Sequence, residues 1–133
     1  MKSTISILVV DDEALIRNLL EQVLTKEGYR VLLAQDGREA LDIVGANKVD
    51  IVVSDMMMPR LNGMELLKIL KRDRPAIGVV VMTGDGDAFS VKDALLSGAD
   101  EYITKPFESF EMKMIVERAY WRILAGTNST PEL

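Results

Sequence analysis

Four apolar segments of the sequence end in residues that can do chemistry. Carboxylates follow two of them, in the run DDE at 11–13 and at Asp55, and a hydroxyl and an ammonium group follow two others, at Thr83 and Lys105. A carboxylate is costly to remove from water. Asp55, directly behind the segment IVVS, is therefore either a polar residue where a strand reaches the surface or an acid kept for chemistry.

The composition narrows that chemistry. The 133-residue chain contains no histidine and no cysteine. A Ser-His-Asp triad, a thiolate metal site and a disulfide framework are therefore excluded. Two or three carboxylates at one place raise one another's pKa unless a cation lies among them. Hard oxygen ligands of this kind suit Mg²⁺, which keeps several of its waters and needs few carboxylates.

Charge and hydropathy exclude other function classes. The formal net charge is −5, whereas a nucleic-acid-binding surface is normally basic, so we expect no direct contact with nucleic acid. The longest apolar runs are far shorter than a membrane span, and the N-terminus lacks the basic-then-apolar layout of a signal peptide. We expect a cytoplasmic protein with no membrane segment.

Apolar segments recur along the chain and predict five strands, at 5–10, 30–34, 50–54, 77–82 and 101–104. Several are continuous rather than alternating, which is typical of parallel strands covered on both faces. Between them, apolar residues recur at helical spacing. These stripes are Ile16, Leu19, Leu20 and Val23; Ala40, Leu41 and Val44; Met64, Leu67 and Leu70; Val91, Ala94 and Leu95; and Phe110, Met114 and Ile115.

The order (βα)₅ predicts an α/β fold. We expect a doubly wound, five-stranded parallel sheet with strand order 2-1-3-4-5, in a flavodoxin-like three-layer sandwich. One domain is predicted over 1–125, followed at 126–133 by a polar segment that forms a flexible tail or the stub of a linker.

This strand order predicts where the chemistry lies. Strands one, three, four and five are neighbours, and ligands of such sheets bind outside the carboxyl ends of the strands. The acidic run 11–13, Asp55, Thr83 and Lys105 should therefore converge on one edge. Together with a metal they form a site for covalent phosphorylation of an aspartate. Asp55 attacks phosphorus, Mg²⁺ and Lys105 neutralise the equatorial oxygens, and Thr83 bonds one of them.

Four motifs carry a resemblance to a known family. They are ILVVDDE (7–13), DMMMPRLNG (55–63), VVVMTG (79–84) and YITKPF (102–107). In this order and spacing the chain resembles the receiver domain of bacterial two-component response regulators, of the single-domain, chemotaxis-regulator-like type, over about residues 4–124.

The resemblance implies roles at the metal. It makes Asp55 the phosphoacceptor. It makes Asp11 and Asp12 the acidic pair that holds Mg²⁺ with Asp55 and with the backbone carbonyl of Met57.

It also implies roles for the residues that respond to the phosphoryl group. Thr83 is the hydroxyl switch, Lys105 is the cation that contacts the phosphoryl group, and Tyr102 turns inward when Thr83 moves. The Lys105–Pro106 peptide bond is cis in this family, which an X-Pro bond tolerates.

Two further residues are expected to tune the lifetime of the phosphoryl group. They are Met57 and Asp85, each two residues beyond a site residue, Asp55 or Thr83. In the resembled fold both flank the path of the hydrolytic water. We expect Met57 to limit access of that water and Asp85 to act on it electrostatically.

The implied function is a signalling switch, with no enzymatic activity beyond the phosphorylation and dephosphorylation of its own aspartate. The expected partners are a histidine kinase or phosphotransfer protein and a downstream target or missing effector domain. Signalling, and possible homodimerisation, would use the face formed by the fourth helix, fifth strand and fifth helix. Exposed residues are expected there at Lys92, Glu101, Glu111, Lys113 and Arg118.

Several alternatives stay open at this point. Asp11 and Asp12 suit the cap of the first helix as well as a metal. A phosphatase with an aspartate nucleophile would resemble a pattern with a second acid at position 57, where this chain has methionine. A flavin module would need a phosphate loop where the acidic run 11–13 lies. A receiver-like module could also bind partners without phosphorylation. Of Tyr120 and Trp121, either one packs on the core and the other is incidental, or both belong to an interface or to a helix that continues into a missing output domain.

Overall fold

In the computed structural model, which describes residues 5–84 and 91–126, strands and helices alternate along the chain. The strands are β1 Ser6–Val10, β2 Arg30–Ala34, β3 Ile51–Asp55, β4 Gly78–Thr83 and β5 Glu101–Thr104. The helices are α1 Ala14–Lys26, α2 Gly37–Ala46, α3 Gly63–Asp73, α4 Val91–Leu96 and α5 Ser109–Gly126. All five predicted strands are present.

The strands form one parallel sheet in the order β2-β1-β3-β4-β5, which confirms the predicted topology. Because all five strands run the same way, their carboxyl ends lie at one edge of the sheet. β1 pairs with both β2 and β3, so the chain reverses its winding direction there, and such a reversal places a crevice at that edge.

The core has two layers, one on each face of the sheet. Side chains alternate along each strand, so Leu8 and Val52 face α2 and α3, whereas Ile7 and Val53 face α1 and α5. β1, β3 and β4 are buried along their whole length. This explains why their sequences are continuously apolar.

The predicted stripe on α5 is wrong at two of its three residues, and only Ile115 packs, partly buried, against the core. Phe110 and Met114 were expected in the core, but they are 59% and 64% exposed. The helix instead buries a stripe shifted by two residues, formed by Met112, Val116, Ala119 and Tyr120. Apolar residues occur on both sides of α5, so periodicity alone does not determine which side faces the sheet.

Smaller departures occur in two other helices. Leu19 of α1 and Leu95 of α4 belong to predicted stripes but are 40% and 45% exposed. In the same helices Leu20 and Ala94 are fully buried. A helix on a sheet buries a narrow stripe, and these residues lie at its margin.

The end of α5 overlaps the start of the predicted tail. The helix extends to Gly126, the first residue of the segment predicted as tail, and 127–133 lie outside the described residues. None of the helices in the described part of the chain is long and apolar enough to cross a membrane.

Candidate functional site

Three strand ends bring Asp11, Asp55 and Lys105 together. Lys105 Nζ lies 3.2 Å from Asp11 Oδ2 and 3.3 Å from Asp55 Oδ2. Glu13 Oε1 is 3.8 Å from the same ammonium group. One cation is therefore shared by carboxylates from two elements of the chain that the sheet places side by side.

The carboxylates of this pocket are close enough to share an ion. One oxygen from each of Asp11, Asp12 and Asp55 lies within 4.8 Å of the others. Asp11 and Asp55 are buried, whereas Asp12 is exposed. Hard carboxylate oxygens on one open edge are the donor set that Mg²⁺ takes, so the residues fit this ion.

Burial and like charges shift the titration of these groups. Burial, followed by the Asp11 carboxylate, raises the pKa of Asp55 to about 6, against the opposing effects of Lys105 and the Met57 N–H. Burial also raises the pKa of Asp11. Burial alone would lower the pKa of Lys105, but Asp55 and Asp11 raise it above its ordinary value. The pocket has more negative charge than one lysine compensates.

Asp11 is held through all of its polar groups. Its N–H donates to the Ala34 carbonyl at 3.1 Å, and its own carbonyl accepts from Arg17 Nη1 at 2.7 Å. Asp11 Oδ1 accepts the Glu13 N–H at 2.9 Å, just before α1 begins. The capping alternative is wrong, because the N-cap of α1 is Glu13 and neither aspartate caps the helix. Asp11 instead supports the turn before α1 through one oxygen and contacts Lys105 through the other.

Glu13 was expected at this edge as part of the acidic run, whereas Arg17 is a contributor to the pocket that was missed from the sequence. Glu13 extends the acidic run and contacts Lys105 although its side chain is 65% exposed. Arg17 lies one helical turn beyond Glu13, where its guanidinium reaches back to the turn that carries Asp11. A cation one turn after an acidic run was the available signal for Arg17.

Asp55 is the last residue of β3, and the start of α3 packs directly against it. The Gly63 N–H donates to the Met56 carbonyl at 2.9 Å. A Cβ on Gly63 would overlap the Asp55 backbone carbonyl and lie 2.6 Å from Met56 Cα. Asn62 and Glu65 form a capping box that begins α3 at this point. Glycine at 63 therefore permits the approach of α3 to the proposed acceptor.

Thr83 and Tyr102 lie on the neighbouring strands. Thr83 is buried at the end of β4, and its carbonyl accepts the Lys105 N–H at 2.6 Å. Tyr102, on β5, is 40% exposed rather than turned inward. It borders a cavity of about 310 Å³ that Met114 and Arg118 of α5 also line.

The remaining predicted residues surround the pocket. Met57 is 42% exposed at its lip, next to the fully buried Met56, and its N–H donates to the Asp55 carboxylate. The Lys105–Pro106 peptide bond is cis. Asp85 lies outside the described residues.

The expectation that Glu101 is exposed is wrong. Its side chain is buried beneath α5, where it pairs with Arg118 at 2.8 Å and Arg122 at 3.0 Å. β5 alternates between buried and exposed residues, and Glu101 falls on the buried side together with Ile103. Of the two aromatic residues near the end of α5, Tyr120 packs on the core and Trp121 is exposed.

Comparison with known proteins decides the family. A family model described as the response regulator receiver domain matches residues 7–117. The chain belongs to this family. Its receiver domain is 42% identical over 108 residues to the response regulator MprA of Mycolicibacterium vanbaalenii, covering 81% of the chain and 47% of that protein.

Other similar proteins support the same family. The receiver domain is 40% identical to the alkaline phosphatase synthesis transcriptional regulatory protein PhoP of Bacillus subtilis, over 84% of the chain and 46% of PhoP. Among solved structures, a response regulator receiver domain protein from Clostridium thermocellum has a TM-score of 0.82 at 35% identity, covering 89% of this chain and 95% of that one.

The chain spans about half the length of the curated relatives it matches. It also resembles NtrX from Brucella abortus, with a TM-score of 0.87 at 32% identity, over 92% of this chain and 28% of that one. Membership of this family shows that the domain serves phosphorylation-dependent signalling in two-component systems.

Proposed function

We propose that this receiver domain is a switch in which Asp55 accepts a phosphoryl group, in a Mg²⁺-dependent reaction, from a partner histidine kinase or phosphotransfer protein. The observation that carries the proposal is the position of Lys105 Nζ, 3.3 Å from the Asp55 carboxylate and 3.2 Å from that of Asp11. A cation placed there can neutralise a phosphoryl oxygen as soon as Asp55 is modified.

The proposed step needs no general base. One Asp55 oxygen bonds to phosphorus while the bond from phosphorus to the donor's imidazole nitrogen breaks, and that nitrogen keeps the electron pair. Asp55 has a pKa of about 6, so it is mostly ionised at neutral pH and has no proton to lose. Asp11, Asp12 and Asp55, with the Met57 carbonyl, would hold Mg²⁺. The ion would supply positive charge to the phosphoryl oxygens.

The proposed output follows from the two residues next to the pocket. The Thr83 hydroxyl moves to a phosphoryl oxygen, and Tyr102 turns from its exposed position into the space that Thr83 vacates. Tyr102 borders α5, so this movement changes the surface of α4, β5 and α5. That surface would bind a downstream target, an effector domain or a second copy of the chain, with no direct contact to nucleic acid.

Two further parts of the proposal concern context. The domain would occupy 1–125 of a cytoplasmic protein, with 126–133 as tail or linker stub. Several relatives are named as transcriptional regulators, and these names fit an effector outside this chain.

The exposed, apolar Met57 occupies the position that a general acid would need in an aspartate-nucleophile phosphatase. This residue supports a switch rather than turnover of external substrates.

The central experiment is phosphorylation of the purified domain with acetyl phosphate, with and without Mg²⁺, followed by intact mass. We expect a Mg²⁺-dependent gain of one phosphoryl group that Asp55→Asn abolishes and the exposed control Asp42→Asn retains. If no adduct forms, the proposal is refuted, and the alternative of a module that binds partners without phosphorylation remains. An adduct that persists in Asp55→Asn would refute the assignment of the acceptor.

Tuning by Met57 is tested separately through the decay of the phosphorylated domain. Met57→Asn replaces an apolar side chain at the lip of the pocket with one that can orient water. We expect the phosphoryl group to be lost several-fold faster than in the wild type, and Met57→Leu to decay like the wild type. Identical decay in all three proteins would show that Met57 does not limit access of water.

A further inference from the structure

The loop between β3 and α3, residues 56–62, carries Met57 past the acidic pocket. At its start, the Met56 N–H donates to the Met82 carbonyl at 3.1 Å, and the Met57 N–H donates to Asp55. At its end, Asn62 caps α3. The position of the Met57 carbonyl depends on what holds the loop between these two anchors.

Arg60, in the middle of this loop, has an unusual backbone. Its φ of 64° lies in the left-handed region, which is disfavoured for a residue with a Cβ by about 1–2 kcal/mol. Another contact must therefore stabilise this conformation. The Arg60 guanidinium forms an ion pair with Asp36 of the turn before α2.

Asp36 is an unusual partner because it is almost completely buried, with 2% of its side chain exposed. Its Oδ1 accepts the Glu39 N–H at 2.9 Å as the N-cap of α2, and its Oδ2 binds Arg60. One buried carboxylate thus begins a helix and holds a loop that belongs to a different part of the chain.

A second contact joins the same two segments. The Gly37 N–H donates to the Leu61 carbonyl at 3.1 Å. A Cβ on Gly37 would lie 2.9 Å from Leu61 Cβ, so a larger residue would push the loop away. The loop and the start of α2 are therefore in backbone contact beside the ion pair.

We propose that Asp36 and Arg60 are a positioning pair for the metal site. They hold loop 56–62 against α2 so that the Met57 carbonyl is presented to Mg²⁺ beside Asp55. Neither residue contacts the acceptor itself. This inference rests on the proposed function, because it assigns a supporting role at the same site.

For Arg60→Gly, electrostatics alone predicts a change in Mg²⁺ affinity opposite to the change that a positioning role predicts. Removing a positive charge near an acidic pocket strengthens attraction of a divalent cation. Removing a positioning contact weakens binding, and supporting residues of metal sites contribute about tenfold to affinity. The sign of the change in Mg²⁺ affinity of Arg60→Gly therefore separates a positioning pair from a surface charge. Asp36→Asn removes a negative charge and weakens binding in either case, so it is interpreted through the double variant.

The test uses Arg60→Gly and Asp36→Asn in the unphosphorylated domain. Glycine adopts a φ of 64° without strain, and asparagine keeps the N-cap of α2 while removing the charge. We expect each variant to bind Mg²⁺ about tenfold more weakly by calorimetric titration. The double variant should be no weaker than either single variant, because both break one contact.

Two controls complete the design. Arg38→Gln removes the other arginine of the cavity beside Leu61, and it should bind Mg²⁺ equally well or slightly better. Arg60→Lys keeps a cation opposite Asp36 and should restore most of the affinity. Chemical unfolding of each variant verifies that it is folded, and Arg60→Met replaces any variant that is not.

The outcomes are distinguishable from those of the proposed function. If Arg60→Gly and Asp36→Asn bind Mg²⁺ like the wild type while Asp55→Asn still abolishes phosphorylation, the positioning role is wrong and the proposed function stands. If the two variants lower Mg²⁺ affinity additively, they act independently and the pair is refuted. If the wild type binds no Mg²⁺, the metal-dependent function and this inference fail together.

Discussion

Two charged clusters of the sheet, each built around buried carboxylate groups, differ in their charge balance. At the carboxyl edge of the sheet, Asp11 and Asp55 share Lys105 with the more exposed Glu13. At the start of β5, one carboxylate, Glu101, is paired with two arginines of α5. The first cluster has too few cations and the second has more than one for each acid.

The difference separates a site from a structural contact. In the uncompensated cluster, burial and then the Asp11 carboxylate raise the pKa of Asp55 to about 6, and the cluster gains from any added cation. The compensated cluster ties α5 to β5 through forked guanidinium contacts and has no place for another positive charge. A buried acid therefore indicates chemistry here only where its neighbours leave it short of cations.

The largest effect is expected when the first cluster loses its cation. Lys105→Met leaves two buried carboxylates unpaired, so we expect the free energy of unfolding at neutral pH without Mg²⁺ to fall by about 2–3 kcal/mol. Urea unfolding measures this change. Adding Asp55→Asn to this variant should recover most of the loss, and the exposed control Lys68→Met should be neutral. A neutral Lys105→Met would mean that the carboxylates are not short of positive charge.

The next effect is an expected increase in the free energy of unfolding. Asp55→Asn removes one of the repelling charges, and we expect it to raise the free energy of unfolding at neutral pH without Mg²⁺ by about 1–2 kcal/mol. The gain should depend on pH. The pKa of Asp55 is about 6 in the folded state and near 3.8 when unfolded, so the unfolded state releases its proton first as the pH rises.

Stability of the wild type therefore falls, relative to Asp55→Asn, as the pH rises from 3.8 to about 6, and the difference stays constant above that range. Below it, Asp55 is protonated in both states and the two proteins should be equally stable. Urea unfolding at several pH values checks this profile. A difference that does not change with pH would show that the charge of Asp55 is not its cause.

A metal should act on one cluster only. At ten times its dissociation constant, Mg²⁺ should raise the free energy of unfolding of the wild type by about 1.4 kcal/mol, because it binds the folded state. Asp12→Asn should reduce this gain, and Glu101→Gln should preserve it. Thermal unfolding in a Mg²⁺ series is the measurement, and equal gains in all three proteins would place the ion elsewhere.

The smallest effect is expected at the compensated cluster. Glu101→Gln should lower the free energy of unfolding by about 1 kcal/mol, because Arg118 and Arg122 are more than half exposed and water replaces their partner. Its rate of phosphorylation by acetyl phosphate should match that of the wild type. A loss as large as that of Lys105→Met would show that the two clusters do not differ in the way described.

The sequence was sufficient where a residue's place follows from chain order. Continuous apolar segments identified the strands, and the (βα)₅ order implied the sheet order that the structure has. Since parallel strands end at one edge, Asp11, Asp55 and Lys105 had to meet once the sheet formed. The pattern of local residues and a topological rule were enough for this part of the site.

Tertiary structure decided everything that depends on which side of an element is covered. The buried side of α5 and the burial of Glu101 follow from how α5 lies on β5. The pairing of Asp36 with Arg60 joins residues 24 positions apart that belong to different βα units. Periodicity shows that a helix has an apolar side and that a charge needs a partner, but only packing selects the side and supplies the partner.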